Sequence, residues 1–216
     1  MTGRTPGGRT GTKGVARAER EAQILAVAGE VFAERGAALA SVAEIAERAG
    51  ISKPLIYNYF GSREGLLTAC VGHAAEVIVA EIERTAGLGE VGLARALLTL
   101  DGMFVLLGDR PWMWRLVNDA TLGAVGEAAE VIAPYRSKVD ALAHDGVGQL
   151  MHLAGDDDEA DVSALVAVWT SVFDSLVGWW LDHPGTSPAE MSARCVRLFT
   201  AVFGLGAPPE IEGLSG

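Results

Sequence analysis

Two short helical segments joined by a three-residue turn constrain this fold more than any other feature of the sequence. Ser41 is a suitable N-cap for the first segment, and Glu44 completes the pattern of a capping box, in which its side chain reaches back to the Ser41 backbone. Gly50 ends that segment. Ser52 begins the second segment, where Pro54 is tolerated because a first helical turn leaves its N–H groups unpaired. Two short helices with glycine in the turn between them are typical of a helix-turn-helix.

The second of these helices has an outward face that is suited to DNA. In a helix-turn-helix the second helix enters the major groove, where its N-terminal residues contact base edges. Ile56 and Phe60 are four residues apart, so we expect them to share a face and pack on the first helix. The opposite face holds a cation, two ring systems and an amide, on Lys53, Pro54, Tyr57 and Asn58. Such groups contact phosphates and base edges, and we interpret this face as a DNA-reading surface.

The remaining pattern is helical throughout, so the predicted fold class is all-α. No segment shows the strict alternation or the Asn-Gly turns of a sheet. Residues 1–15 are rich in Gly and Thr and aperiodic, which predicts a disordered basic arm. Helical periodicity begins at Ala16, and we assign residues 16–67 to a DNA-binding head of three helices and residues 68–216 to a helical body. The helices expected in the body after the long one that ends near Thr85 are 90–108, 111–122, 125–154, 158–182 and 188–204.

The stretch from Ile24 to Leu66 follows a fixed spacing of apolar residues and glycines. It reads Ile-Leu-x3-Gly-x2-Phe-x3-Gly, then Ile45-Ala46-x2-Ala49-Gly50-Ile51-Ser52, and then Lys53-Pro54-Leu55-Ile56-Tyr57-Asn58-Tyr59-Phe60-Gly61-Ser62-Arg63-Glu64-x-Leu66. In these residues, about a fifth of the chain, the sequence resembles the DNA-binding head of the tetracycline-repressor (TetR) family. The resemblance implies a homodimer whose two heads bind a palindromic operator on double-stranded DNA. It also implies a C-terminal domain that binds a small molecule and then releases the DNA.

The same resemblance implies which residues contact DNA. By its position at the start of the second helix, Ser41 is expected to contact a phosphate. Arg63, which lies beyond the motif, is expected to contact the DNA backbone. The reading helix with its N-cap supplies the other predicted contacts: Ser52, Lys53, Pro54, Leu55, Tyr57, Asn58 and Tyr59. Ala40 and Leu55 stand where members often carry threonine, so two hydroxyl contacts are missing. The alternative for the aromatic residues is a place in the core, which is favoured for Phe60 and stays open for Tyr59.

The charge is divided unequally along the chain. Residues 1–67 hold nine Lys/Arg and seven Asp/Glu, whereas residues 68–216 hold eight and twenty-one. An acidic body behind a basic tip repels nucleic acid everywhere except at the tip. The arm, with Arg4, Arg9 and Lys13, is either a solvated tail or a minor-groove contact. No apolar run follows these cations, and no stretch of about 18 uncharged residues occurs, so we expect a cytoplasmic protein without a membrane segment.

Large apolar side chains in the middle of the body suggest a ligand pocket. Met103, Trp112, Trp114 and Tyr135 fall on adjacent predicted helices, and Asp174 is a lone carboxylate within an apolar run. For any single one of these residues a place in the plain core is the simpler interpretation, but together they fit a pocket for a mainly apolar effector. The acidic body holds a strongly anionic ligand poorly. His144 and His152 are eight residues apart with no third ligand nearby, so we expect neither a metal nor a cofactor.

The last two predicted helices are apolar nearly all round. One stripe runs along segment 158–182 through Val162, Trp169 and Phe173, and another along 188–204 through Cys195 and Val202. A surface helix needs only one apolar stripe, so helices of this kind need cover on both sides. In the family that the head resembles, two C-terminal helices from each subunit form the dimer interface. The sequence therefore predicts that these two helices dimerise the protein.

Two other classes of function compete with a ligand-responsive regulator. The first is an all-α enzyme or carrier with an incidental helix-turn-helix. The chain has no Gly-rich phosphate loop, nucleophile elbow or cluster of metal ligands, so we expect no enzymatic activity. The second is an architectural protein that coats DNA without preference for an operator. Salt-dependent retention on DNA separates a DNA-binding protein from an enzyme or carrier, and operator preference separates a regulator from a coating protein.

Overall fold

The computed structural model describes residues 11–122 and 127–203, and within these ranges all regular secondary structure is α-helical. The predicted all-α class is therefore confirmed. The head contains α1 (Gly11–Arg35), α2 (Val42–Arg48) and α3 (Lys53–Phe60), and α4 (Arg63–Ala86) continues into the body. The remaining described helices are α5 (Gly92–Gly108), α6 (Pro111–Val117), α7 (Glu127–Leu153), α8 (Glu159–Leu181) and α9 (Pro188–Phe203).

The head is built on one apolar cluster at the centre of three helices. Ile24 of α1, Ile45 of α2 and Ile56 of α3 are fully buried and belong to the same core. Gly50 turns the chain between α2 and α3 with φ +65°, a left-handed conformation that a side chain would strain. The turn and the buried face together fix how α3 is presented to the outside.

The first helix starts earlier than the sequence predicts. α1 begins at Gly11, so residues 11–15, which we expected to belong to a disordered arm, are helical. No proline lies between Gly11 and Ala16, so the helix can extend by five residues toward the N-terminus without a proline interruption. The rest of the predicted arm, with Arg4 and Arg9, lies outside the described residues.

The long helix α4 joins the head to the body without a break. It packs against α1 and α3 at its start and against α5, α6 and α7 along its length. The predicted boundary between residues 67 and 68 falls inside this helix. Cys70 lies just beyond that boundary and is fully buried, with its thiol 3.7 Å from the carbonyl oxygen of Leu25 in α1. One hydrophobic core therefore runs from the head into the body.

The body helices match the predicted segments except at the end of α6. The sequence predicts a helix over 111–122, but α6 ends at Val117. Asp119 explains the early end, because its carboxylate accepts hydrogen bonds from the backbone N–H (2.8 Å) and the hydroxyl (2.6 Å) of Thr121. An aspartate that bonds two residues ahead favours a turn over a continued helix.

The two C-terminal helices leave apolar side chains uncovered. Val168 and Trp179 on α8 and Leu198 and Val202 on α9 are exposed in the single chain. By length and composition, α4 and α8 also pass the test for a membrane span, each with a mean hydropathy of 1.5. A buried core helix passes the same test, and α4 is one. The uncovered face of α8 needs another explanation.

Candidate DNA-binding head and effector cavity

The exposed face of α3 is the face that its periodicity predicts. Ile56 is 0% exposed, whereas Tyr57 beside it is 44% exposed. Ser52, Lys53, Pro54 and Asn58 are also exposed, and Leu55 and Tyr59 are partly buried. Ser52 caps the helix through its backbone position, and its side chain makes no capping hydrogen bond, so its hydroxyl is available to a partner. The structure thus places six of the seven predicted contacts of this segment on one accessible surface, with Tyr59 at its margin.

The predicted capping box at α2 is only half formed. The hydroxyl of Ser41 accepts a hydrogen bond from the backbone N–H of Glu44 at 3.2 Å. The Glu44 carboxylate does not return to Ser41, because it accepts from Arg35 and from Arg48 instead. The hydrogen bond from Arg35 and the two nearby guanidinium charges hold the pKa of the Glu44 carboxyl below its usual value. Ser41 remains exposed at the helix start.

Arg63 has a structural position that differs from the predicted DNA contact. Its guanidinium donates to the backbone carbonyls of Ala37 and Ala40 in the loop between α1 and α2, the latter at 3.0 Å. It also lies over the ring of Phe32, 5.7 Å from the ring centre. These contacts use the side chain to join the start of α4 to the head. The sequence could not show this, because the bonding partners lie 23 and 26 residues away.

A cavity of about 640 Å³ lies in the body and is lined by residues of the six helices from α4 to α9. This volume is within the range of about 300–1,000 Å³ that is usual for small-molecule sites. Three of the residues predicted to form a pocket line it: Trp114 of α6, Tyr135 of α7 and Asp174 of α8. Most of the remaining lining is aliphatic or aromatic, including Ile78, Val139 and Phe173.

Two residues predicted for the pocket lie elsewhere. Met103 is fully buried in the core on α5, and it does not line the cavity. Trp112 is also buried, and it packs against Gly29 of α1 instead of the cavity. Trp112 and Trp114 are two positions apart and therefore point about 200° apart around a helix. Helix α6 thus contacts the head through Trp112 and lines the cavity with Trp114.

The cavity also holds polar groups that the sequence analysis missed. Arg95 of α5 lines it, donating to the Asp145 carboxylate at 3.1 Å and to the carbonyl of Leu142 at 3.2 Å. Arg136 and Asp140 of α7 also line the cavity. Arg95 and Asp145 are fifty residues apart, so no local pattern could have paired them.

Asp174 is a carboxylate of the cavity wall that lies within the apolar run of α8. No Lys or Arg among the described residues lies within ion-pair distance of it. Asp174 is exposed in the single chain, yet the apolar residues around it desolvate the carboxyl enough to raise its pKa. A raised pKa marks a carboxyl that gains from a hydrogen-bond donor or a cation on a ligand.

His144 and His152, the two histidines considered as metal ligands, each contact a carboxylate on the surface. His144 contacts Glu159 at 3.2 Å, and His152 contacts Asp157 at 2.7 Å. Within the described residues no group of three or more metal-ligating side chains converges. The weak metal signal in the sequence is thus explained by two surface contacts with carboxylates.

The head has a known counterpart. Residues 24–70 match the model of the family described as bacterial regulatory proteins, tetR family. Over these residues the chain has a TetR-family DNA-binding head. The match covers α2, α3 and the adjoining parts of α1 and α4, which together present the exposed face of α3.

Curated relatives of the chain are similar to it in the head region. The transcriptional activator FasR of Mycolicibacterium smegmatis is 38% identical over 78 residues, which are 36% of this chain and 35% of FasR. The transcriptional repressor Rv3405c of Mycobacterium tuberculosis is 39% identical over 57 residues, 26% of this chain and 30% of that protein. The matches therefore span about a third of the length of these relatives. The relatives are named as transcriptional regulators, not as enzymes.

Solved structures resemble the whole chain. The regulator FadR from Bacillus subtilis, in complex with stearoyl-CoA, has a TM-score of 0.66 at 20% identity, covering 86% of this chain and 99% of that one. The ketosteroid regulator KstR2 of Mycobacterium tuberculosis has a TM-score of 0.69 at 19% identity, covering 86% and 93%. At such identities the likeness establishes the fold of the body and the head together.

Proposed function

We propose that this TetR-family chain is a DNA-binding transcription regulator, a homodimeric repressor that an apolar effector releases from a palindromic operator. The observation that carries the proposal is the exposed face of α3, which presents Lys53, Tyr57 and Asn58 beside a buried Ile56. A cation, an aromatic ring and an amide on the second helix of a helix-turn-helix can contact phosphates and base edges. The other proposed contacts are Ser41, Ser52, Pro54 and Leu55.

The proposed dimer explains the uncovered face of the C-terminal helices. Val168 on α8 is 58% exposed and Val202 on α9 is 73% exposed. A second copy that covers this face removes apolar surface from water. A membrane would cover it as well, but Asp174 in the middle of α8 would then lie in or beside the hydrocarbon. We therefore place the protein in the cytoplasm, with its own copy as the partner of α8 and α9.

The proposed effector occupies the cavity beside Trp114, Tyr135 and Asp174. The lining favours a molecule with a mainly apolar body, and the Asp174 carboxyl favours a donor group on that molecule. α6 can couple a bound effector to the head, because its Trp114 lines the cavity and its Trp112 contacts α1. An effector can act only if it binds one arrangement of these helices more tightly than the other.

Selection of binding sites from a random duplex library tests the DNA-binding function. We expect enrichment of a palindrome whose half-site centres lie about one helical turn, or a multiple of it, apart. Enrichment without a consensus would favour an architectural protein. No retention of DNA at low salt would exclude both and favour a carrier. A reporter gene behind the selected operator then distinguishes repression from activation.

Tryptophan fluorescence tests the effector site, because Trp114 lines the cavity. The probes are dodecylamine and the steroid oestradiol, one long and one compact molecule, each with an apolar body and a group that can donate a hydrogen bond to Asp174. A bound effector quenches or shifts the emission and weakens operator affinity by the factor by which operator weakens effector affinity. A molecule that changes the fluorescence but leaves operator affinity unchanged is not an effector.

A further inference from the structure

The first turns of α1 lie beside the end of the reading helix. The guanidinium of Arg17 lies over the ring of Tyr59, 5.0 Å from its centre. Tyr59 belongs to the last turn of α3 and is partly buried, with its ring 6.0 Å from that of Phe60. A cation stacked on an aromatic ring loses part of its freedom to move. Arg17 is therefore held at one edge of the surface that α3 exposes.

A second cation lies on the same side of α1. Arg20 follows Arg17 by three residues, and such positions are neighbours on a helix surface. Its guanidinium donates to the neutral amide of Gln23 at 2.7 Å, which leaves its charge uncompensated. Both arginines are exposed. We call this pair the α1 basic face.

Most other arginines of the head are already paired. Arg35 and Arg48 form ion pairs with Glu44, and Arg48 also pairs with Glu34. By contrast, Arg17, Arg20 and Lys53 have no carboxylate within 4.0 Å in the part of the chain that the structure describes. Glu21 is four residues after Arg17 but forms no such pair with it. The uncompensated positive charge of the described head thus collects on the α1 basic face and at the start of α3.

We propose that the α1 basic face is a second DNA-contact surface, at which Arg17 and Arg20 bind phosphates that border the groove entered by α3. The inference rests on the proposed reading role of α3 and adds an element outside the helix-turn-helix. The major groove is only about 12 Å wide, so a cation held at the edge of the inserted helix lies close to a phosphate strand. Tyr59 is then a positioning residue, because its ring holds Arg17 and does not read a base.

The test uses the salt dependence of binding to DNA. The full-length protein is titrated with a fluorescein-labelled 30-bp duplex of random sequence between 50 and 200 mM KCl, and the slope of log K against log salt is measured. Each lost phosphate contact reduces that slope by about 0.9. For each head that is bound, Arg17→Gln and Arg20→Gln each reduce it by about 0.9 and the double variant by about 1.8, with unchanged thermal melting, and these reductions double when both heads of the proposed homodimer are bound. An unchanged slope in the folded double variant overturns the proposal.

Lys138→Gln is the matched control, because it removes the same charge far from the head. Lys138 pairs with Glu83, which is twenty residues and therefore about 30 Å along α4 from Arg63. The slope stays that of the parent in this variant. A drop equal to that of the arginine variants would show a general effect of net charge and would overturn the assignment. A parent without salt-dependent binding would instead defeat the proposed DNA function.

Two substitutions at Tyr59 test its positioning role. Tyr59→Phe keeps the ring and binds both random duplex and selected operator as the parent does. Tyr59→Leu removes the ring and weakens binding to both duplexes by the same factor, because a phosphate contact does not depend on base sequence. A Tyr59→Phe variant that loses operator affinity alone shows that the hydroxyl reads a base, and the positioning role is then wrong.

Discussion

The ring of Trp112 on α6 lies directly against the backbone of Gly29 in the middle of α1. A methyl group placed on Gly29 would come within 2.3 Å of Cε3 of that ring, and the indole is almost fully buried. Glycine inside a helix costs roughly 0.5–1 kcal/mol relative to alanine, so its presence here needs a reason. The close approach of the indole supplies it. This contact joins the head to the helix that also lines the cavity.

Gly29→Ala is expected to destabilise the protein despite its better helix propensity. The buried ring cannot move aside freely, and overpacking of this kind costs about 1–3 kcal/mol in the free energy of unfolding. Each kcal/mol lowers Tm by roughly 2–4 °C in a chain of this size. Differential scanning calorimetry measures the change.

Gly148→Ala on α7 is the control for that substitution, because a methyl group there meets nothing within 4 Å. It is expected to increase the free energy of unfolding by up to about 1 kcal/mol and therefore to raise Tm. Trp112→Phe should reduce the cost of Gly29→Ala when the two are combined, since the smaller ring leaves room. Equal Tm changes for the two glycine variants would disprove the close packing.

Tyr57→Ala and Lys53→Ala are expected to weaken operator binding without loss of helicity. Both side chains point outward from α3, so their removal leaves the core around Ile56 intact. Tyr57→Ala should lower operator affinity by about tenfold or more, and Lys53→Ala should reduce the salt slope by about one unit. Leu88→Ala is the control, since Leu88 is similarly exposed but lies in the turn just beyond the C-terminal end of α4. Fluorescence anisotropy on the selected operator measures all three, and parental affinity in both head variants would refute the reading face.

Local periodicity was enough to predict the elements and the orientation of α3. The alternation between the buried Ile56 and the exposed Tyr57 follows from the 3.6-residue repeat. The predicted helix 90–108 differs from α5, Gly92–Gly108, by two residues at one end. In these segments each local signal agrees with the tertiary structure.

The contacts between distant segments could not be predicted in this way. Trp112 and Trp114 carry the same signal in the sequence, and only the position of α6 between α1 and the cavity separates their roles. The hydrogen bonds of Arg63 to the loop before α2 depend in the same way on how α4 docks. A helix of seven residues is too short for its periodicity to show which face meets which neighbour.

Val202→Asp on α9 and Val168→Asp on α8 are expected to shift the protein from dimer to monomer. Both valines are exposed in the single chain, so the substitutions leave its core intact but place an unpaired charge in the proposed interface. Phe173 is less suitable for this test, because its ring packs inward against Trp114 at 5.9 Å. Light scattering across micromolar concentrations should show at least a tenfold weaker dimer. A parent that is monomeric at these concentrations would disprove the proposed interface.

Asp174→Asn is expected to stabilise the protein at neutral pH and to have no such effect in acid. Because burial raises the pKa of the Asp174 carboxyl in the folded state, the folded protein binds this proton more tightly than the unfolded chain does. The group therefore favours folding at low pH, and that contribution is lost as the pH rises from the ordinary pKa of aspartate through the raised one.

Above that pH range the parent keeps a partly desolvated charge in the cavity, whereas the asparagine is neutral. The measurement is Tm of both proteins at pH 3, below the ordinary pKa of aspartate, and at pH 8, with the larger gain expected at pH 8. Asp161→Asn serves as the control, because it removes an exposed charge in the first turn of the same helix, where the helix dipole favours a negative side chain. That variant should gain nothing at pH 8. If Asp174→Asn also gains nothing there, a cation or a donor neutralises the carboxylate in the folded protein, and the cavity then lacks the unpaired anchor that the proposed effector needs.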